Sequence, residues 1–148
     1  MHIVRDLLKT KGNRVWTINP QASVYEALEL MAMENIGAIV VTDHDLVVGI
    51  FSERDYARKV ILLGRTSKTT LVSELMTRDV LYISRDDTID NCMALMTTKR
   101  LRHLPVLENG KLVGLVSIGD VVKAIISGQE TTIRELERYI TGGHTTSE

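Results

Sequence analysis

The sequence contains one cysteine in 148 residues, Cys92, so no disulfide can form within the chain. A lone thiol fits a reducing compartment and points to a cytoplasmic location. Cys92 falls at an apolar position of a helical pattern, where it reads as a small core hydrophobe rather than a redox thiol. Aromatic residues make up only 4% of the chain, which leaves Val, Ile, Leu, Met and Ala to build the core. Charge of either sign is not in excess: 18 Lys and Arg against 19 Asp and Glu give a net charge of −1. That balance excludes an overall attraction to nucleic acid or anionic membrane, so any anion site must be local. No apolar run approaches a membrane span, and Met1–Leu8 lacks the pattern of a cleaved signal.

What the sequence does contain is itself, twice. An offset of 65 residues, without a gap, places Val15 on Val80, Ile18 on Ile83 and Leu30-Met31 on Leu95-Met96. Further on, Val41 falls on Val106, Val48-Gly49 on Val113-Gly114, Ser52 on Ser117 and Asp55 on Asp120. Chance similarity of hydropathy would not also match Gly, Ser and Asp at fixed spacing, so the chain is an internal duplication.

Each copy follows the pattern βαββα. Val15–Ile18 and Val80–Ile83 are short β-rich runs. Ser23 and Thr88 are candidate N-caps, with Glu26 completing a capping box in the first copy. Val24, Ala27, Leu28 and Met31 recur at helical spacing, as do Ile89, Cys92, Met93 and Met96. The first helix is expected to stop at Asn35-Ile36-Gly37, with Gly ending it. Two hairpins follow. Ala38–Val41 and Leu46–Phe51 flank a turn at Asp43-His44-Asp45, and Leu104–Leu107 and Leu112–Val116 flank a turn built on Asn109-Gly110. Pro105 should sit at the beginning or edge of its strand. Ser52 and Ser117 then cap closing helices. Residues 2–10 and 130–141 read as amphipathic helical segments outside the duplication, whose Leu7, Leu8, Ile133, Leu136 and Ile140 pack on the repeats or on a partner subunit. Gly142–Glu148 is expected to be disordered.

The chemistry concentrates at Gly-x-x-Ser-x-x-Asp, present as Gly49…Ser52…Asp55 and Gly114…Ser117…Asp120. A helix N-terminus offers amides and partial positive charge to a phosphate, and an Asp in the first turn can accept hydrogen bonds from a ribose diol. The plain structural alternative is a capping box with Asp in place of Glu. Arg102 and His103, with Lys99 and Arg100, form a cationic cluster before the strand at Leu104, suited to phosphate. The first copy has Gly37-Ala38 at that point. Arg54, opposite Gly119, is its substitute charge, so the two sites should differ.

Enzyme readings fail on this inventory. There is no nucleophile elbow, Walker loop, dinucleotide glycine fingerprint or zinc spacing. His2, His44, His103 and His144 are dispersed, and Asp86-Asp87 complements a helix dipole.

The paired motifs Gly-Ile-Phe-Ser-Glu-Arg-Asp, Arg-His-Leu-Pro-Val and Gly-Leu-Val-Ser-Ile-Gly-Asp resemble CBS domains, named after cystathionine β-synthase, over about residues 14–128. The resemblance implies an α+β fold of two βαββα CBS repeats packed as a pseudo-two-fold CBS pair, a Bateman-type module. The chain then divides into an N-terminal helical segment (1–13), repeat 1 (14–63), a linker with a short helix (64–78), repeat 2 (79–128) and a C-terminal helix and tail (129–148). It further implies a non-catalytic regulatory module whose clefts take AMP, ADP or ATP first, NAD(H) second and S-adenosylmethionine third. No metal and no catalytic cofactor are expected. The implied site residues are Val80, Tyr82, Arg102, His103, Leu104, Pro105, Ser117 and Asp120 in one cleft. The other cleft draws on Thr17, Ile36, Gly37, Ala38, Ser52, Arg54 and Asp55. A homodimer and an unidentified regulated protein are the expected partners, with no nucleic acid and no membrane. The alternative is a dimerisation or adaptor module with vestigial clefts.

Overall fold

The structure is a computed structural model that describes residues 2–12 and 14–142. Of the tail expected to be disordered, Gly142 lies within that range and ends a helical segment, while residues 143–148, His144 among them, lie outside it. The described chain separates into two compact units. One comprises residues 14–83 and 104–115; the other comprises residues 2–12, 84–103 and 116–142.

In the first of these units β1 (Thr17–Ile18) lies parallel to β2 (Ala38–Asp43), which pairs antiparallel with β3 (Leu46–Ser52). Between β1 and β2 runs α2 (Val24–Glu34), begun by a capping box in which Ser23 Oγ accepts the Glu26 amide. The helix stops at the expected Asn35-Ile36-Gly37, with Asn35 in the left-handed region (φ 56°) rather than Gly37 as the cap. Asn tolerates that conformation well enough to end the helix two residues earlier. Val24, Ala27 and Met31 of α2 bury against Ile39, Val41 and Phe51, with Val72, Leu75 and Met76 completing the cluster. Those last residues belong to or follow α4 (Val72–Leu75). After β3 the chain forms the single turn α3 (Glu53–Asp55) and continues as a π-helix over Tyr56–Ile61. The linker is docked: Val24 N–H donates to the Thr70 carbonyl, and Thr70 is 5% exposed.

The first hairpin turn is tighter than the sequence implied. Asp43 remains in β2, and His44 and Asp45 both take positive φ (51° and 68°), as Asn109 and Gly110 do in the second (52° and 78°). Two positive φ values match the strand twist of a two-residue hairpin. The second hairpin joins β4 (His103–Glu108) to β5 (Lys111–Ser117). Its first-strand partner has shrunk to one parallel bridge, Ile83 to Val106. Pro105, third in β4, occupies the position of Val40, which pairs with Thr17 in the first copy. Its carbonyl still accepts the Ile83 amide at 3.0 Å, but proline has no N–H to extend the ladder. Gly49 and Gly114 lie inside β3 and β5 rather than at strand ends.

The other unit packs α1 (Val4–Lys11) and α5 (Ile89–Lys99) against α6 (Ile118–Glu137). Val4, Leu7, Leu8, Ile89, Cys92, Met96, Val116, Val121 and Ala124 are its buried apolar residues. No break separates residue 128 from the expected C-terminal segment: α6 is one 20-residue helix from the Ser117 cap, followed by π-helical turns over Arg138–Gly142. Leu7 and Leu8 bury as expected, whereas Ile133, Leu136 and Ile140 stay exposed in the single chain.

The duplication reaches further back than the 65-residue offset shows. Val4-Arg5-Asp6-Leu7-Leu8 and Val72-Ser73-Glu74-Leu75-Met76 match at an offset of 68, so α1 and α4 are equivalent lead-in helices. They dock alike. Val4 and Arg5 N–H donate to the carbonyls of Asp87 and Arg85, both at 2.9 Å. Val72 and Ser73 N–H donate to those of Ala22 and Pro20, at 2.9 and 3.0 Å. Each lead-in therefore seats on the start of the other copy's first long helix.

Candidate functional site

The Ser-x-x-Asp segments form the same structure in both copies. Ser52 and Ser117 are N-caps in extended conformation, and their Oγ atoms accept the amides of Asp55 (3.2 Å) and Asp120 (3.1 Å). In return Asp55 Oδ2 and Asp120 Oδ2 each accept the amide of their serine at 2.9 Å. The next amide, Glu53 or Ile118, donates to the carbonyl of Gly37 (3.0 Å) or Arg102 (2.9 Å). The structural alternative of a capping box is thus realised twice. Two of the helix-start amides that the sequence offered to a phosphate are engaged within the chain.

The first set of site residues gathers inside one unit. Ala38 pairs with Ser52 across β2 and β3, and Thr17 pairs with Val40 two residues along. Gly37 sits so close to Glu53 that an added Cβ would meet Oε1 at 3.2 Å. Ile36 follows the α2 cap, and Arg54 lies exposed between Glu53 and Asp55. The second set divides between the units. Val80, Tyr82, Leu104 and Pro105 belong to the unit of the first repeat's sheet, where Leu104 and Pro105 are buried and Tyr82 is exposed. Arg102, His103, Ser117 and Asp120 belong to the other, where the Arg102 carbonyl is held by Ile118 and the Arg102 side chain faces solvent. Of the cationic neighbours, Lys99 is the last residue of α5 and Arg100 is its left-handed cap (φ 56°).

Two lysines missing from the sequence-based site complete it. Lys59 Nζ lies 3.1 Å from Asp55 Oδ1, and Lys11 Nζ lies 2.6 Å from Asp120 Oδ2. The i,i+4 spacing of Asp55 and Lys59 was readable on a helix; nothing local in sequence links Lys11 to Asp120, 109 residues away. Burial works against the Asp120 carboxylate, but hydrogen bonds from Lys11 and the Ser117 amide outweigh it and hold its carboxyl below the usual aspartate value. Among the described residues no cluster of His, Cys, Asp and Glu could hold a metal, and no helix is long and apolar enough to cross a membrane. Cys92 is fully buried, and burial, with Asp87 nearby, pushes its thiol up to about 11.

The CBS domain model matches residues 4–61 and 72–127, beginning at the first residues of α1 and α4. The chain belongs to the CBS domain family. It is 36% identical over 95% of its length to the mitochondrial CBS domain-containing protein CBSX3 of Arabidopsis thaliana, of which the match covers 73%. Among solved structures, a protein with CBS domains from Burkholderia ambifaria is 48% identical, with a TM-score of 0.81 over 87% of this chain and 96% of that one. A CBS domain pair in complex with 5′-methylthioadenosine and S-adenosyl-L-methionine is 26% identical, with a TM-score of 0.73 over 86% of this chain and 97% of that one.

Proposed function

We propose that the chain is a non-catalytic regulatory module that binds adenosine-containing ligands and signals their presence to a partner protein. The observation that carries this reading is the double Ser-x-x-Asp box. The same carboxylate stands at the same helix start twice, and each helix start is fixed by its amide at residue 53 or 118 to the residue just ahead of the hairpin's first strand. Asp55 and Asp120 are the ribose acceptors, with Ser52 and Ser117 beside them. Val80, Tyr82, Leu104 and Pro105, and Thr17, Ile36, Gly37 and Ala38, contact the base. Arg102 and His103 favour a phosphate-bearing ligand in the second site, so AMP, ADP or ATP ranks before NAD(H), and S-adenosylmethionine third. In the first, Arg54 is the substitute charge that the sequence offers, beside the Lys59 ammonium on Asp55. The complex of a relative with two adenosine compounds supports the ligand class. Homodimerisation and a cytoplasmic location belong to the same proposal.

The test is thermal unfolding against AMP, ADP, ATP, NADH and S-adenosylmethionine. A ligand at about a hundredfold over its Kd stabilises by about 2.7 kcal/mol. Failure of every ligand at millimolar concentration would leave the adaptor reading, which one observation favours: both carboxylates are already satisfied within the chain by a serine amide and a lysine.

A further inference from the structure

Both Ser-x-x-Asp carboxylates hold a lysine, but the two lysines come from different places. Lys59 stands four residues after Asp55 on the same helical stretch. Its equivalent at the 65-residue offset is Ala124, buried at 2% exposure in α6, so Asp120 has no lysine at that position of its own helix. Lys11, the last residue of α1, supplies the charge instead. It is delivered by a fixed arm. The start of α1 is pinned by the Val4 and Arg5 amides and by Arg5 on Asp86 at 2.9 Å, and its inner face buries Val4, Leu7 and Leu8. At the 68-residue lead-in offset Lys11 falls on Asp79, so the lead-in of the second copy carries an acid where the first carries this lysine.

Asp120 Oδ2 accepts the Ser117 amide and the Lys11 ammonium together. A carboxylate oxygen has two good acceptor directions, so this oxygen is fully used, whereas a ribose diol donates two hydrogen bonds. We propose that Lys11 is a built-in competitor at the second site: a ribose can engage Asp120 through both oxygens only by displacing the Lys11 ammonium. This rests on the reading of Asp120 as a ribose acceptor and makes the end of α1 the part of the chain that registers occupancy there. The lysine side chain is 35% exposed and the Asp120 side chain 21%, so the pair is of the partly screened kind that contributes modestly.

The test is calorimetric titration of the full chain with adenosine, which has a ribose but no charge, on an Asp55→Ala background that silences the first site and again without that change. Lys11→Met should tighten adenosine binding about two- to fivefold, the fold-change corresponding to an ion pair of this exposure. Raising the ionic strength from about 0.05 to about 0.5 M should tighten binding to the unsubstituted protein by screening the pair, and leave Lys11→Met unchanged. Lys11→Arg should restore the salt dependence. Adenosine binding that Lys11→Met leaves equal or weakens overturns the competitor alone; weakening confined to AMP would make Lys11 a phosphate ligand. Absence of adenosine and AMP binding in every protein sinks the ligand reading and the competitor with it.

Discussion

Cys92, Arg100 and Asp120 show how far a residue's type foretells its environment. Cys92 was legible from its place in the apolar stripe of α5, and its burial makes it inert. With its thiol raised from 9.0 to about 11, stability is full below 9.0 and is lost as pH climbs toward 11, because the unfolded chain ionises first. A thiol reagent at pH 8 should therefore label Cys92 only as fast as the protein opens, and at once in denaturant. Arg100 was read as part of a cationic cluster because sequence displays charge and not backbone. Its left-handed φ of 56° is the more telling property, and the equivalent Asn35 was the available signal. Arg100→Asn should raise stability by about 0.5–1 kcal/mol in urea unfolding, since Asn adopts this region at lower cost. For Asp120 the sign is opposite to that of Cys92. Its folded carboxyl lies below the ordinary value, so its stabilisation is full above about pH 4 and is lost as pH falls through the lower folded value. The unsubstituted protein should be more stable than Lys11→Met by a constant amount above about pH 4, and their acid-unfolding profiles should converge as pH falls through that window.

At the scale of elements, Gly49 of the first hairpin has a packing cause. A Cβ at Gly49 would lie 2.6 Å from Met76 Sδ and 2.9 Å from the Thr77 carbonyl, where the chain after α4 crosses β3 and bridges at Ile50. Gly49→Ala should cost about 1–3 kcal/mol, because backbone as well as side chain must shift. Ser52→Ala and Ser117→Ala each remove a cap and should cost about 1 kcal/mol in thermal unfolding. The paired hairpin strands, the N-caps and the helices α2 and α5 were legible because apolar period and N-cap residues agree in both copies. The lead-in equivalence was not, because three extra residues break the ungapped offset just where α1 ends. The first strands were overread for another reason: β-rich composition at Val80–Ile83 says nothing of the proline that stands opposite Tyr82.

For the whole molecule, the two-repeat α+β architecture was readable from self-similarity alone, and the CBS family match bears it out. The site was readable only in part. Ser52, Asp55, Ser117 and Asp120 announce themselves by repetition, whereas Lys11 reaches Asp120 only through the fold. If both carboxylates accept ribose, Asp55→Ala and Asp120→Ala should each remove one binding event from a two-site titration with AMP, and the double variant both.

The crosswise seating of the lead-ins also orders events during synthesis. The seat of α4, at residues 20–24, has already been made when α4 emerges, so that helix can dock at once. The seat of α1 lies at residues 85–89. α1 must therefore wait, its Val4, Leu7 and Leu8 uncovered, until synthesis has passed residue 89. α1 is made before its seat and housed late, and a chain stalled before residue 85 would carry it exposed.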